Sequence, residues 1–309
     1  MTPTKIAETP LEELWFGEDD VSAVNAHAAA SFAAALADLE GLRPFSDVAR
    51  RVLEYAANPH FEVGRLQSII EQDPALATKV LRLANSAAFR PREACASIGQ
   101  AIMLLGSRTL GELATSLSMM AMFSDLSGAG RAVRDHCAST AALVRALAMH
   151  KANAGPNCYI VGLLHDFGKL LLIQAQPATY LKIHGPDIAE ADTIHLRERE
   201  VLGFDHAVLG AHILKKWGLP DPIPKVVAWH HQSSRALTAG GEIALYVTLV
   251  RLAERIDRML RPDTLPSPQE TERLAATTEC QYVGFSAREL TKLWDELRVV
   301  KHEAQQIFL

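Results

Sequence analysis

Histidine and aspartate side chains that recur from position 136 onward could together bind transition metal ions. The set comprises His136, His165, Asp166, His206, His230 and His231. Each residue lies at an end or on a face of a predicted helix, so several helices could bring their side chains together. Neutral imidazole and carboxylate ligands suit Mn, Fe, Co, Ni or Zn, and the two oxygens of Asp166 could bridge a pair of ions.

The adjacent residues His165 and Asp166 lie in a strongly apolar segment, with leucines on both sides. Buried ionisable groups need partners, and a hydrogen-bonded structural pair would satisfy these two residues alone. The other four histidines favour a metal site instead. Asp166 is therefore predicted to be catalytic if the site is a hydrolase. Lys169 is then a candidate to stabilise phosphate oxygens, and a solvated helix-end lysine is the alternative.

The elements that must position these side chains are helices, because apolar residues recur at helical spacing and no convincing strand pattern is present. The predicted fold class is all-α. A helix is predicted over 21–39, Asp73 should cap a helix that begins at Pro74, and Ser97 should cap 98–105. Later helices are predicted over 132–151, 157–175, 188–202, 206–217, 222–231 and 242–260.

The two glycines at 128 and 130 mark the best internal boundary, since continuing either flanking helix through glycine costs free energy. The predicted divisions are an N-terminal arm and helix (1–40), a smaller helical subdomain (41–128), a multi-helix bundle (129–262) and a C-terminal linker with helices (263–309). All of the candidate ligands fall within 129–262, so the multi-helix bundle is the predicted metal-binding part.

Composition narrows the range of partners. The chain has 31 Lys plus Arg against 36 Asp plus Glu, a net charge of −5, which makes nucleic acid an unlikely partner. The four cysteines form no C-x-x-C pair, so neither a zinc knuckle nor a disulfide framework is indicated. The longest apolar run is too short to cross a bilayer, and the acidic N-terminus does not resemble a secretory signal. We expect a cytoplasmic protein with no membrane partner.

The order H, HD, H, HH among the candidate ligands resembles the HD superfamily of metal-dependent phosphohydrolases. Four further motifs resemble the bacterial HDOD domain, the HD-related output domain, over about Leu42 to Leu260. These motifs are Asp73-Pro74-Ala75-Leu76, Leu83-Ala84-Asn85-Ser86, Gly203-Phe204-Asp205-His206 and Trp217-Gly218-Leu219-Pro220. The resemblance implies an all-helical domain in which a smaller helical subdomain precedes an HD-like bundle.

The resemblance also implies a function, that of a bacterial signalling or regulatory protein with a signalling protein as its partner and an HD-type, binuclear metal site. One or two divalent ions (Fe, Mn, Ni, Co or Zn) are expected. The alternative is an active metal-dependent phosphohydrolase with a phosphoester or nucleotide as its ligand. Cleavage of cyclic di-GMP is not expected, because no Gly-Tyr-Pro element follows His231.

Carried over residue by residue, the superfamily pattern implies that His136, His165 and Asp166 hold one ion. His206, His230 and His231 would hold a second ion, bridged by Asp166.

The last ligand of the superfamily pattern is an Asp on a later helix. The nearest equivalent here is Glu254, with Asp257 about one turn further along. Glu254 also has arginines three residues before and four residues after it, so an ion pair at the surface is an equally good interpretation.

Overall fold

The structure is a computed structural model. It describes residues 26–39, 62–89, 93–123, 128–151, 157–185, 193–261 and 264–306, together with positions 48, 51, 52, 55 and 91. Within these residues 79% of the chain is helical and none is strand, which confirms the all-α fold class. The part of the first predicted helix before Ala26, and positions 188–192 of a later one, lie outside the described residues.

The described helices are numbered here in chain order. They are α1 (Ala26–Asp38), α2 (Val63–Ile70), α3 (Pro74–Ala84), α4 (Ile98–Leu105), α5 (Ser107–Ala121), α6 (Ala129–Lys151), α7 (Cys158–Leu164), α8 (Phe167–Ala175), α9 (Pro177–His184), α10 (Ile194–Leu202), α11 (His206–Lys216), α12 (Ile223–Trp229), α13 (Ser233–Ala239), α14 (Gly241–Met259), α15 (Pro268–Ala275), α16 (Thr278–Val283) and α17 (Ala287–Gln305).

Packing divides the chain into two compact units, each made from two stretches of sequence. Unit 1 comprises Met1–Leu42 and His165–Val247, and unit 2 comprises Arg43–Leu164 and Thr248–Leu309. The units follow packing rather than chain order, and the boundaries proposed from the sequence stay predictions.

In unit 2, the predicted helix caps are confirmed. The Asp73 carboxylate accepts a hydrogen bond from the Leu76 amide at 3.0 Å, and Pro74 occupies the first turn of α3. Ser97 accepts from the Gln100 amide at the start of α4. These short side chains satisfy amides that a helix leaves unbonded at its N-terminus. In the same unit, α6 packs along both α7 and α17.

In unit 1, close packing of α8 on α11 fixes the first residues of both helices. A Cβ at Gly168 would overlap the carbonyl oxygen of His206, so only glycine fits there. The Asp205 carboxylate accepts from the Val208 amide at 3.0 Å and begins α11 at His206. Gly203 ends α10 in the left-handed conformation with φ 79°.

The predicted continuous helix over 157–175 is wrong in one respect. The chain makes a turn at His165 and Asp166, where α7 has ended and α8 has not begun. Apolar residues continue on both sides of the turn, so their spacing gives no sign of it. The stretch Cys158–Ala175 has the length and hydropathy of a membrane span, but 83% of it is buried within the protein, as in the core helix of a globular domain.

Candidate metal centre

Four of the predicted ligands meet in unit 1. One ligand atom from each of Asp166, His206, His230 and His231 lies within 4.8 Å of the other three. Asp166 occupies the turn before α8, His206 is the first residue of α11, and the two adjacent histidines follow the end of α12. The first three of these side chains are completely buried, and His231 is half-buried.

The distances between these atoms suit ligands of a single ion. His206 Nε2 lies 3.1 Å from Asp166 Oδ1 and 3.0 Å from His231 Nε2, and His230 Nε2 lies 3.7 Å from the same oxygen. Two ligands that are each about 2.1 Å from one metal ion lie about 3.0 to 3.4 Å apart. The observed separations therefore match such a site closely, with His230 slightly outside it.

Two of the imidazoles are held with Nε2 directed at the aspartate. The Nδ1–H of His230 donates to the Val227 carbonyl at 2.7 Å, and the Nδ1–H of His206 donates to the Glu198 carboxylate. With Nδ1 protonated, Nε2 of a neutral ring carries the lone pair that a metal needs. Nε2 of His230 is buried and has no hydrogen-bond partner among the described residues, so the donor set fits a divalent ion.

Glu198 on α10 is a residue that the sequence analysis missed. It is fully buried, and Oε2 accepts from both the Nδ1–H and the backbone amide of His206, the latter at 2.9 Å. Its other oxygen lies 2.8 Å from His184 Nε2. One signal was present: Glu198 shares a helical stripe with the buried residues Ile194 and Leu202, four positions away on either side.

Two other acidic residues near His206 in the sequence, Glu200 and Asp205, have different surroundings. Glu200 is exposed. Asp205 caps α11 and forms an ion pair with Arg199 at 2.6 Å. Asp205 therefore serves as a helix cap, and Glu198 takes the orienting position next to His206.

The buried charges shift one another's pKa values. Burial alone would raise the pKa of Asp166, but Lys169 and His165 outweigh it and hold that pKa well below its ordinary value. Burial likewise opposes the charge on Glu198, yet the His206 imidazole holds the pKa of Glu198 far below its usual range. Burial would lower the pKa of His206, and the Glu198 carboxylate outweighs this and raises it to about 10. An ion must therefore displace a proton from His206.

Lys169 and His165 both face the second oxygen of Asp166. Lys169 Nζ lies 2.7 Å from Oδ2, and its side chain is buried, so the solvated helix-end interpretation is wrong. His165 Nε2 lies 3.4 Å from the same oxygen.

His195, which the sequence did not connect with any cluster, stacks on His231 with ring centroids 4.2 Å apart. Its burial lowers the pKa of His195 to about 4. The His195 ring therefore packs against one face of the His231 imidazole.

The remaining predicted ligands lie in unit 2. His136 Nδ1 lies 2.9 Å from Asp257 Oδ2, and Lys301 Nζ lies 3.0 Å from Asp257 Oδ1. Glu254 forms an ion pair with Arg251 at 3.0 Å, as one interpretation of the sequence proposed, although this pair is buried rather than at the surface. Asp257, one of the two carboxylates considered for the last ligand position, thus meets the candidate histidine His136.

Comparison with known proteins identifies the family. The model of the HDOD domain family matches residues 42–233, well over half of the chain. The chain belongs to the HDOD family. The resemblance found in the sequence is thereby confirmed.

Solved structures of similar fold include proteins of several bacteria. A candidate phosphohydrolase from Shewanella amazonensis SB2B is 22% identical, with a TM-score of 0.69 over 90% of this chain and 98% of that one. An HDOD domain protein with unknown function from Geobacter sulfurreducens is 19% identical, with a TM-score of 0.67 over 91% and 99% of the two chains. At these identities the likeness shows the fold.

A curated relative, an uncharacterized protein of Treponema pallidum (strain Nichols), is 26% identical over 181 residues, or 58% of this chain. The alignment spans 35% of that relative, so this HDOD protein matches about a third of the relative's length.

Proposed function

We propose that this HDOD protein is a cytoplasmic bacterial signalling or regulatory protein whose unit 1 binds a divalent transition metal ion. The observation that carries the proposal is that one nitrogen each of His206, His230 and His231 and one oxygen of Asp166 all lie within 4.8 Å of one another. The protein acts on a signalling partner through its helical surfaces, and the bound ion has a structural or ligand-sensing role.

Ligand type supports a transition metal over Mg²⁺ or Ca²⁺. Imidazole nitrogen suits Zn, Fe, Co, Ni and Mn, whereas Mg²⁺ and Ca²⁺ prefer oxygen ligands. Buried Glu198 and the Val227 carbonyl behind two of the rings are the outer hydrogen-bond acceptors that accompany metal-bound histidines in proteins.

Burial supports a regulatory role over turnover. Asp166, His206 and His230 are 0% exposed, and the second oxygen of Asp166 is already bonded to Lys169. An ion enclosed in this way suits a site that stabilises or senses more than a site that must admit a phosphoester.

A phosphohydrolase is the second candidate function, and the combination of histidines, Asp166 and Lys169 favours it. A bound divalent ion would supply positive charge that polarises a phosphoester. Asp166 would hold the ion in place, and Lys169 would have to leave Asp166 before its ammonium could contact phosphate oxygens.

Elemental analysis of the protein purified without chelators tests the metal site. We expect close to stoichiometric transition metal in the wild type and in His302→Gln, an exposed histidine on α17 that serves as the control. Asp166→Asn and His206→Gln should lose the metal. Equal metal in all four proteins, or none after incubation with Mn, Fe, Co, Ni or Zn, would contradict the proposal.

A phosphoester and nucleotide panel then separates the two functions. Metal-loaded wild type without turnover supports the regulatory role. Turnover that disappears in Asp166→Asn, with the fold intact by circular dichroism, supports the phosphohydrolase and overturns the regulatory proposal.

A further inference from the structure

The Glu198 carboxylate lies between two imidazoles that come from different helices. Its Oε2 accepts from the Nδ1–H and the backbone amide of His206, the first residue of α11. Its Oε1 lies 2.8 Å from Nε2 of His184, the last residue of α9. The side chains of His184 and Glu198 are 4% and 0% exposed, so bulk water does not compete for the bond between them. Both oxygens of this carboxylate therefore have a donor already.

The His184 ring is itself held by the fold. It stacks on Tyr180, one turn earlier on α9, with ring centroids 3.9 Å apart and an angle of 15° between the planes. Tyr180 is 2% exposed, and α9 packs against α10, the helix that carries Glu198. A stacked and buried ring has little freedom to change rotamer. His184 therefore presents Nε2 to Glu198 from a fixed position.

The orientation of the Glu198 carboxylate sets the orientation of the His206 ring that donates to it. The terminal torsion of a glutamate is broad, so a carboxylate bonded through one oxygen can rotate easily. The bond from His184 to Oε1 removes this freedom. The Nδ1–H of His206 then has one preferred direction, which leaves Nε2 directed at Asp166 Oδ1, 3.1 Å away. Such outer hydrogen bonds fix the rings of metal-bound histidines.

We propose that His184 is a positioning residue for the metal centre, which acts through Glu198 to hold the His206 imidazole in its metal-binding orientation. The inference rests on the proposed metal site of unit 1 and adds a residue that is not a ligand. It links α9 to the ion through two hydrogen bonds in series.

A double-mutant cycle on the full chain tests this assignment. His184→Phe keeps a ring that can stack on Tyr180 but removes the donor, and it is made alone and together with Glu198→Ala. Competition with a chelator measures the affinity for Zn²⁺, and circular dichroism checks the fold. His150→Phe in unit 2 is the matched control, because His150 Nε2 also lies 2.8 Å from a glutamate oxygen, Oε1 of Glu296.

We expect His184→Phe to lower the Zn²⁺ affinity by about 3- to 10-fold, less than the roughly 10- to 100-fold typical of losing a direct acceptor. In the Glu198→Ala background the same substitution should cause no further loss, because the link to His206 is already broken. His184→Gln, whose amide can still donate to Glu198, should recover most of the affinity. His150→Phe should match the wild type.

Two results of the cycle would overturn the inference and leave the metal site standing. One is wild-type affinity in His184→Phe. The other is an equal loss with and without Glu198, which would mean that His184 acts by general destabilisation. Absence of Zn²⁺ binding by the wild type would instead overturn the proposed function itself.

Nitrogen-15 spectra of the histidine-labelled wild type cover the case in which His184→Phe does not fold. Zn²⁺ on His206 Nε2 should strengthen donation from Nδ1–H to Glu198, and bonds that share one acceptor group influence each other. We therefore expect the His184 Nε2 signal to shift on metal binding while the His150 signal stays in place. A His184 signal that does not move would overturn the inference.

Discussion

Histidine meets carboxylate in both units of this protein, but in different proportions. In unit 1, three imidazoles and an ammonium surround Asp166, and a second carboxylate, Glu198, lies behind His206. In unit 2, Nδ1 of His136 faces Asp257, and that carboxylate also accepts from Lys301. The first arrangement leaves several nitrogen donors on one oxygen, whereas the second resembles an ion pair in which a carboxylate lies between two basic groups.

The comparison shows that the number of imidazoles around one carboxylate differs between the units more than the way each ring is held. His206 and His230 use Nδ1 to bond Glu198 and Val227, so Nε2 remains directed at Asp166. In unit 2, His136 also uses Nδ1, to bond Asp257, so the way the ring is held is common to both units. Four variants test how far this difference extends, in order of decreasing effect.

Asp166→Asn should have the largest effect. It removes the central metal ligand and leaves the buried ammonium of Lys169 without its carboxylate, which typically costs about 3 to 5 kcal/mol. We expect metal loss and a large fall in the free energy of unfolding, measured by denaturant titration of the metal-free protein. Asp295→Asn, an exposed aspartate on α17, is the control and should change stability by less than about 0.5 kcal/mol. Similar stability of the two variants would contradict the central position of Asp166.

Glu198→Ala should lower metal affinity by about 10- to 100-fold, because His206 loses the acceptor that fixes its tautomer. Glu198→Gln should lower the metal affinity less than Glu198→Ala does, since an amide oxygen can still accept from His206 Nδ1–H. Competition with a chelator measures the affinity, and nitrogen chemical shifts of the imidazole report the tautomer directly. Glu200→Ala, an exposed neighbour on the same helix, should match the wild type. An unchanged tautomer in Glu198→Ala would show that Glu198 does not orient the ring.

Gly168→Ala should destabilise the protein by about 1 to 3 kcal/mol, because the new methyl group would overlap the His206 carbonyl. Gly64→Ala in unit 2 is the matched control, since nothing lies within 4 Å of its Cβ and alanine favours a helix. Thermal melts of the two variants should move in opposite directions. An unchanged melting temperature of Gly168→Ala would mean that α8 and α11 can separate easily.

Asp257→Asn should have the smallest effect, about 1 kcal/mol at pH 7, and should leave the metal content unchanged. Burial opposes the charge of Asp257, but His136 and Lys301 outweigh it and hold the pKa of Asp257 below its ordinary value. The stabilisation is thus present above about pH 4 and is lost as the pH falls through the lower folded pKa. Melts of wild type and variant should converge at low pH. Loss of metal in this variant would make Asp257 a ligand and remove the contrast between the units.

Much of the helical architecture could be predicted from the sequence, because it depends on local signals. Asp73 and Ser97 cap their helices as expected, and the convergence of His206, His230 and His231 on Asp166 matches the expected grouping. A helix cap depends only on residues within a single turn, so it can be recognised from the sequence. The pattern of histidines and aspartate predicts a cluster as long as the helices that carry them pack together.

The rest depended on burial, which spacing alone does not reveal. Nothing in the apolar pattern marks the turn at His165 and Asp166, because leucines continue on both sides of it. Glutamate and lysine usually lie at protein surfaces. Only the neighbours of Glu198 and Lys169 in the folded chain make these two residues part of a buried network. Charged groups in a core are specified by partners that are distant in sequence.

The contact between Gly168 and the His206 carbonyl has a consequence for how a signal could reach the centre. The backbones of α8 and α11 touch there with no side chain between them. The two helices are therefore expected to move together. Adjustment of the ion's surroundings would then come through the other segments that hold the imidazoles, namely α10 with its Glu198 and the end of α12. A signal carried by small helix movements would therefore alter the metal ligands first where α10 or the end of α12 moves.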